Sequence, residues 1–225
     1  MSELFLVRHA KASFGEANYD QLSEIGYRQA RWLGEHFRER GVDFDRVITG
    51  DMVRHRQTWE GIAAGMQRPE TGALIRPGWN EFDFQRLVEA YLQQFPNDRP
   101  PAGATSTDFY RLLKAALLAW SSDRLTGELP EDWCDFESRV RAMLAELQNA
   151  AAEERVLVVS SGGAIAMALR QVLMAPPETM VQLNLQIRNA SVSRCFFSPR
   201  GYSVHTFNHI AHLETPERMR FITYS

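Results

Sequence analysis

Three short stretches of this chain carry side chains suited to handling a phosphoryl group: Arg8-His9, Arg54, and Ser160-Ser161-Gly162-Gly163. A neutral imidazole is a nucleophile, and a guanidinium offers a planar fork of N–H donors matched to phosphate oxygens. A glycine-rich turn lets backbone N–H groups approach an anion closely. Each stretch also has an ordinary reading, as a solvated loop pair, a surface charge and a packing turn. Position distinguishes them. Arg8 and His9 follow the apolar run Leu4–Val7, Arg54 lies in the opening turn of a helix after Arg46–Thr49, and the serine-glycine turn follows Val156–Val159. Ligands of open α/β sheets bind at the carboxyl ends of strands. Three strand ends therefore each deliver phosphate-compatible groups.

The elements that must position these residues are legible as patterns. Leu4–Val7 is a continuous apolar run, as expected of a strand covered on both faces in a parallel sheet. Ser23 precedes a helix-spaced set, Ile25, Trp32, Leu33 and Phe37, and Gly41 supplies a stop, which predicts a helix over roughly 24–40. A strand at 46–49 and a helix from about Met52 to Met66 continue the alternation. Residues 69–105 hold most of the prolines and read as loop, with one short helix around Leu87–Phe95 and the sheet pausing. Phe109–Trp120 and Phe136–Leu147 read as helices. The strand 156–159 leads through the serine-glycine turn into a helix reaching about Met174. Ser191–Phe197 and Tyr202–Phe207, around Ser198-Pro199-Arg200-Gly201, read as a terminal hairpin. The expected fold is a three-layer α/β/α sandwich with a mostly parallel central sheet. We read it as one domain over 1–225 with a helical insertion or lid at about 82–150.

Composition narrows the function classes. The 225 residues, 44% of them hydrophobic, suffice for a substantial core. A net charge of −3 supplies no bulk positive field, so phosphate binding must rest on local arginines, and nucleic acid is not an expected partner. Cys134 and Cys195 form neither a disulfide framework nor a Cys-x-x-Cys metal pair, which suits a reducing compartment. The start, Met1-Ser2-Glu3, has no basic head, and no stretch approaches a membrane span. The expectation is a soluble cytoplasmic protein that does not act at a membrane. No metal site is expected, because no His-x-x-x-His pair with a carboxylate helper falls on a predicted helix.

Leu6-Val7-Arg8-His9-Ala10 resembles the Arg-His-Gly signature of the histidine phosphatase superfamily, the phosphoglycerate-mutase-like group. Tyr19-Asp20-Gln21-Leu22-Ser23-Glu24-Ile25-Gly26 with Gln29-Ala30 is similar to that family's Asp-x-x-Leu-(Ser/Thr)-x-x-Gly-x-x-Gln-Ala segment. Asp51-Met52-Val53-Arg54 with Gln57-Thr58 resembles its second arginine motif, and Asn208-His209-Ile210-Ala211-His212-Leu213 its closing segment. The matches span residues 4–213. The resemblance implies that His9 is a nucleophile that becomes phosphohistidine, with Arg8 and Arg54 clamping the phosphoryl oxygens. Glu81, in Trp79-Asn80-Glu81-Phe82, matches the family's proton donor, although the glycine that should follow is missing. No cofactor is implied. The logic is physical as well. Two arginines disfavour a protonated imidazole and neutralise the equatorial oxygens, while a carboxylic acid protonates the leaving oxygen and later activates water.

One position departs from the pattern. Where the family ordinarily carries a histidine before two glycines, this chain has Ser161, with Gly162 following. A hydroxyl is a shorter, neutral donor, and losing one preorganised donor costs about 2.7 to 4 kcal/mol of transition-state stabilisation. Three outcomes stay open: a slower phosphatase, an active one with the cation supplied elsewhere, and a catalytically impaired protein that binds or senses phospho-ligands. His55 is the nearest candidate substitute, although its pattern reads first as a surface histidine on a polar helix face. His209 and His212 read as structural, and His36 and His205 carry no motif. The first expectation is a metal-independent phosphatase acting on a small phosphorylated compound or a phosphoprotein, ahead of a mutase. Specificity is expected from the segment between about Phe82 and Ala150. Ser13 and Phe14 are expected near the leaving group, with Trp79, Phe82 and Phe84 as candidate walls. No pattern bears on oligomeric state.

Overall fold

The computed structural model describes residues 1–13, 20–69, 72–101, 103–149 and 153–224. Six strands form one sheet: β1 (Ser2–Arg8), β2 (Arg46–Thr49), β3 (Leu74–Ile75), β4 (Arg155–Ser160), β5 (Val192–Ser198) and β6 (Gly201–His209), in the order β3-β2-β4-β1-β5-β6. The first four are mutually parallel. The β5–β6 hairpin joins antiparallel to β1. β1 and β4 are central and covered on both faces, which explains their uninterrupted apolar runs.

Alternate residues of these strands feed two cores. Phe5, Val7, Val47, Leu157 and Val159 pack under α1 (Glu24–Glu39) and α2 (Val53–Met66). Leu4, Leu6, Ile48, Val156 and Val158 face α3 (Phe84–Gln94), α4 (Ser106–Ser121), α5 (Trp133–Gln148), α6 (Gly162–Val172) and α7 (Pro177–Asn184). The architecture is therefore three-layered, as expected, with α3, α4 and α5 inserted between β3 and β4. Among the described residues, no helix is long and apolar enough to cross a membrane.

Register places the strand ends level. Arg8 pairs with Ser160, and Thr49 with Val159. The backbone N–H of His9 donates to Ser160 O at 2.8 Å, and that of Gly50 to Val159 O at 3.2 Å. The residues that follow β2, β4 and β1 thus emerge side by side at one edge.

Two elements differ from the sequence expectation. The sheet does not pause after α2: Leu74–Ile75 adds the edge strand β3 beside β2, too short and too exposed to show an apolar pattern. The helix α7 was not expected, since no element was read between Met174 and Ser191; Pro177 occupies its first helical turn, where the missing N–H costs nothing. In addition, α3 begins at Phe84 and not near Leu87, because Asp83 caps it by accepting from Arg86 N at 3.1 Å.

The closing segment is structural. His212 is buried, its ring centroid 6.1 Å from that of His36. Burial first, then the neighbouring His36, His209 and Arg218, lowers its pKa to about 3. The unfolded chain therefore binds a proton near pH 6.5 that the folded chain refuses, and stability falls as pH drops from about 6.5 toward 3. We expect the urea midpoint to decline across that window, and His212→Phe to flatten the decline.

Candidate active site

The site is built at the level edge of β2, β4 and β1. His9 leaves β1 and is 5% exposed. Its Nδ1 lies 2.8 Å from its neighbour Ala10's carbonyl oxygen, which can only accept, so Nδ1 carries the hydrogen and Nε2 the lone pair. The loop beyond is braced by residues of the sequence motifs. Ala10 N donates to Thr58 Oγ1 at 3.0 Å, Lys11 N to Gln29 Oε1 at 2.9 Å, and Leu22 N to Gln57 Oε1 at 2.8 Å. Asn189 Nδ2 holds His9 O at 3.2 Å.

Arg8 donates from Nη1 to the carbonyl of Ile187 and, at 2.5 Å, to that of Tyr224. These bonds tie the site to the turn after α7 and to the C-terminal segment. Arg54 is 4% exposed and pairs with Asp20 at 2.8 Å, while the other Asp20 oxygen accepts from Val53 N, the first N–H of α2. Asp20 thereby orients Arg54 and caps its helix with one carboxylate.

Ser161 begins α6 in the N-cap position but makes no capping bond. Its hydroxyl lies 2.7 Å from His55 Nε2 and 3.5 Å from Arg54 Nη2. His55 is fully buried, and its ring centroid is 5.8 Å from that of His9. The surface position read from sequence is therefore corrected. Helix α2 packs its first turn against the strand ends, so the residue after Arg54 points inward although its sequence neighbours are polar. Gly50 makes room for this ring, since a Cβ there would come 2.3 Å from His55 Nδ1.

Glu81 supplies the cap that Ser161 withholds. Its Oε2 accepts from Gly163 N at 3.0 Å and its Oε1 from Phe82 N at 3.2 Å. Any Cβ on residue 163 would fall 2.2 Å from Glu81 Oε1, so glycine is required for the carboxyl to dock. The Glu81 segment is fixed from two sides: Ser160 Oγ donates to Trp79 O at 2.6 Å, and Arg139 Nη1 to Asn80 O at 2.8 Å.

Burial sets the protonation states. It is the largest cause holding His9 well below the usual imidazole range, followed by the charges of Arg54 and Arg8. Sequence reasoning named only the arginines. Burial likewise keeps His55 well below that range, with Arg54 adding to it, and pushes the Glu81 carboxyl up against the opposing bond from Gly163. The site thus presents a neutral imidazole beside two guanidinium groups and a carboxyl that holds its proton more tightly than usual.

A cavity of about 420 Å³ opens on this group, lined by Arg8, His9, Arg54 and Glu81 together with Phe82, Phe84, Phe109, Tyr110, Leu113 and Leu185. Of the residues expected in the site, these first four converge. Gly162 adjoins Arg8, since a Cβ on it would lie 3.6 Å from Arg8 Nε. Ser161 is buried behind Arg54 and beside His55, outside the lining. Ser13 is buried with its N–H on Gln21 O and does not line the cavity. Phe14 falls outside the described residues. Trp79 belongs to the core, while Phe82 and Phe84 do line the cavity. Sequence reasoning missed the Arg54 partner Asp20, although it lies within a quoted motif, and it missed Leu185 and Tyr224, for which no local signal exists. Among the described residues, no group of three or more His, Cys, Asp or Glu is arranged to hold a metal ion.

The model of the histidine phosphatase superfamily (branch 1) matches residues 4–210. The chain belongs to that superfamily. Its curated relatives include the probable phosphoglycerate mutase GpmB of Photorhabdus laumondii, 27% identical over 96% of this chain and 97% of its own length. The GpmB protein of Klebsiella pneumoniae strain 342 is 26% identical over the same shares. Among solved structures, this histidine phosphatase fold is similar to Bacillus stearothermophilus YhfR, with a TM-score of 0.71 and 16% identity over 95% of this chain and 100% of that one. The alpha-ribazole phosphatase of Shigella flexneri aligns with a TM-score of 0.66 and 19% identity over 93% and 97% of the two chains.

The electrostatics are open to direct measurement. In ring-nitrogen NMR of the protein, we expect His9 to remain neutral through pH 6.5 and to titrate well below it. Arg54→Gln removes the strongest charge opposing protonation, so the His9 pKa should rise in that variant. A downward shift would contradict this account.

Proposed function

We propose that this histidine phosphatase superfamily member is a metal-independent phosphatase that hydrolyses phosphate esters through a phosphohistidine on His9. The observation that carries the reading is the state of the His9 ring: Nδ1 is committed to Ala10, so Nε2 keeps its lone pair in a cavity shared with Arg8, Arg54 and Glu81. In the first step the Nε2 lone pair forms a bond to phosphorus as the P–O bond to the leaving group breaks, and Glu81 gives its proton to the departing oxygen. In the second step Glu81, now a carboxylate, takes a proton from water as the water oxygen attacks phosphorus. The phosphohistidine bond breaks, and inorganic phosphate is released. Arg8 and Arg54 bear the charge on the equatorial oxygens throughout. The names of related proteins, mutases and phosphatases of small phosphorylated compounds, support a phosphoryl-transfer chemistry.

A second reading has its own observation. Ser161, which stands where the resemblance places a second histidine, is buried with its hydroxyl directed at His55 and Arg54, and His55 is held neutral. The arrangement thus provides two cations for the phosphoryl group and not three. A protein that binds phospho-ligands and turns them over slowly fits that count. Ser161→His combined with His55→Ala, which clears the space, separates the readings. Under slow turnover, kcat rises by about 10²-fold or more. Wild-type turnover at rates typical of enzymes removes the binding-only reading.

The mechanism is tested by quenching turnover and assaying for acid-labile, base-stable phosphate on His9. The label is expected in the wild type and absent in His9→Ala, and undiminished hydrolysis by His9→Ala would overturn the proposal. The role of Glu81 is tested by leaving-group dependence. Glu81→Gln is expected to slow hydrolysis of alkyl phosphates by about 10²- to 10⁴-fold. In kcat/KM, which reports the phosphorylation step alone, the effect on p-nitrophenyl phosphate should be far smaller, because that oxygen leaves without a proton, whereas the later water step slows for every ester.

A further inference from the structure

The walls of the cavity bear on the other half of the substrate. Beyond the phosphoryl-binding group, the lining is uncharged: Phe82, Phe84, Phe109, Leu113 and Leu185 supply most of the wall, with neutral polar groups from Thr105, Tyr110, Asn184 and Tyr224. Arg8 and Arg54 are the cations that line it among the described residues. Both belong to the phosphoryl site, and each is already anchored, Arg8 on the carbonyls of Ile187 and Tyr224 and Arg54 on Asp20. Arg188 comes near but does not line the cavity. It lies with its guanidinium carbon 5.7 Å from the centre of the Tyr224 ring and donates to Tyr224 Oη at 3.3 Å. The stretches outside the described residues contain no lysine or arginine, so they cannot supply another cation.

A carboxylate or second phosphate on the leaving group would therefore be partly desolvated among neutral side chains with no further cation to pair with, beside the carboxyl of Glu81. An isolated buried anion is strongly disfavoured. A hydrocarbon leaving group meets no such cost, and each methylene it buries favours binding about fourfold. We infer that this site takes phosphate monoesters of uncharged, apolar alcohols or phenols and discriminates against esters whose leaving group carries a carboxylate or a second phosphate. The inference rests on the phosphatase reading above, and it names a substrate class different from the phosphoglycerate in the names of the curated relatives.

The test compares alcohols of similar leaving ability, so that intrinsic reactivity does not decide the result. With purified wild type, kcat/KM for n-hexyl phosphate and 2-phenylethyl phosphate is measured against 3-phosphoglycerate and phosphoserine. We expect the apolar esters to be favoured by 100-fold or more. Leu113→Arg, which places a cation on the wall, should narrow that ratio at least tenfold, chiefly by improving the anionic substrates. Equal or better hydrolysis of 3-phosphoglycerate or phosphoserine overturns the substrate class while leaving the phosphatase reading intact. If no ester is hydrolysed, the phosphatase reading fails. The substrate class is then decided by calorimetric binding of the same four esters, where tighter binding of the apolar pair upholds it and the reverse order overturns it.

Discussion

The chemistry of this protein hangs on a matter of register. β2, β4 and β1 run parallel and end level, locked by the bonds from His9 N to Ser160 O and from Gly50 N to Val159 O. A strand slipped by one residue would turn every side chain to the opposite face of the sheet. The two cores on either face forbid that slip, because each draws alternate residues from the same strands. Hydrophobic packing far from the cavity therefore fixes where the imidazole, the guanidinium groups and the α6 turn meet.

Around that fixed edge, most polar groups serve two ends at once. Asp20 orients Arg54 and caps α2, and Glu81 faces the cavity and caps α6. Thr58 accepts from Ala10 N and donates to Arg54 O, linking the loop after His9 to the helix that carries the second arginine. A network of this kind leaves few rotamers open, which is the physical content of preorganisation. The Ser161–His55 pair belongs to the same network. A serine at a helix start would ordinarily cap it, and here that task passes to Glu81 while the hydroxyl turns to a buried imidazole.

Much of this was legible in the sequence, for identifiable reasons. The parallel strands announced themselves through continuous apolar runs, and the three strand ends through the residues that follow them. Glu81 was harder to read, since the glycine expected after it is absent and its place is secured instead by Arg139 and Ser160 from other elements. His55 was misread because polar neighbours in sequence say nothing about a helix whose first turn is wedged against a sheet edge. Leu185 and Tyr224 reach the cavity only through α7 and the C-terminal segment, contacts that tertiary folding alone creates. β3 escaped notice because two exposed residues carry no periodicity.

The docking of Glu81 has a cost of its own. Burial holds its carboxyl above the ordinary range, so near neutral pH the folded chain must either retain a proton that solvent would remove or keep a charge where water is scarce. Thermal endurance and turnover therefore pull in opposite directions at residue 81. An amide of the same shape keeps an acceptor for Gly163 N without that cost, so a library screened for heat tolerance alone would tend toward glutamine here, a sturdier scaffold with an idle cavity.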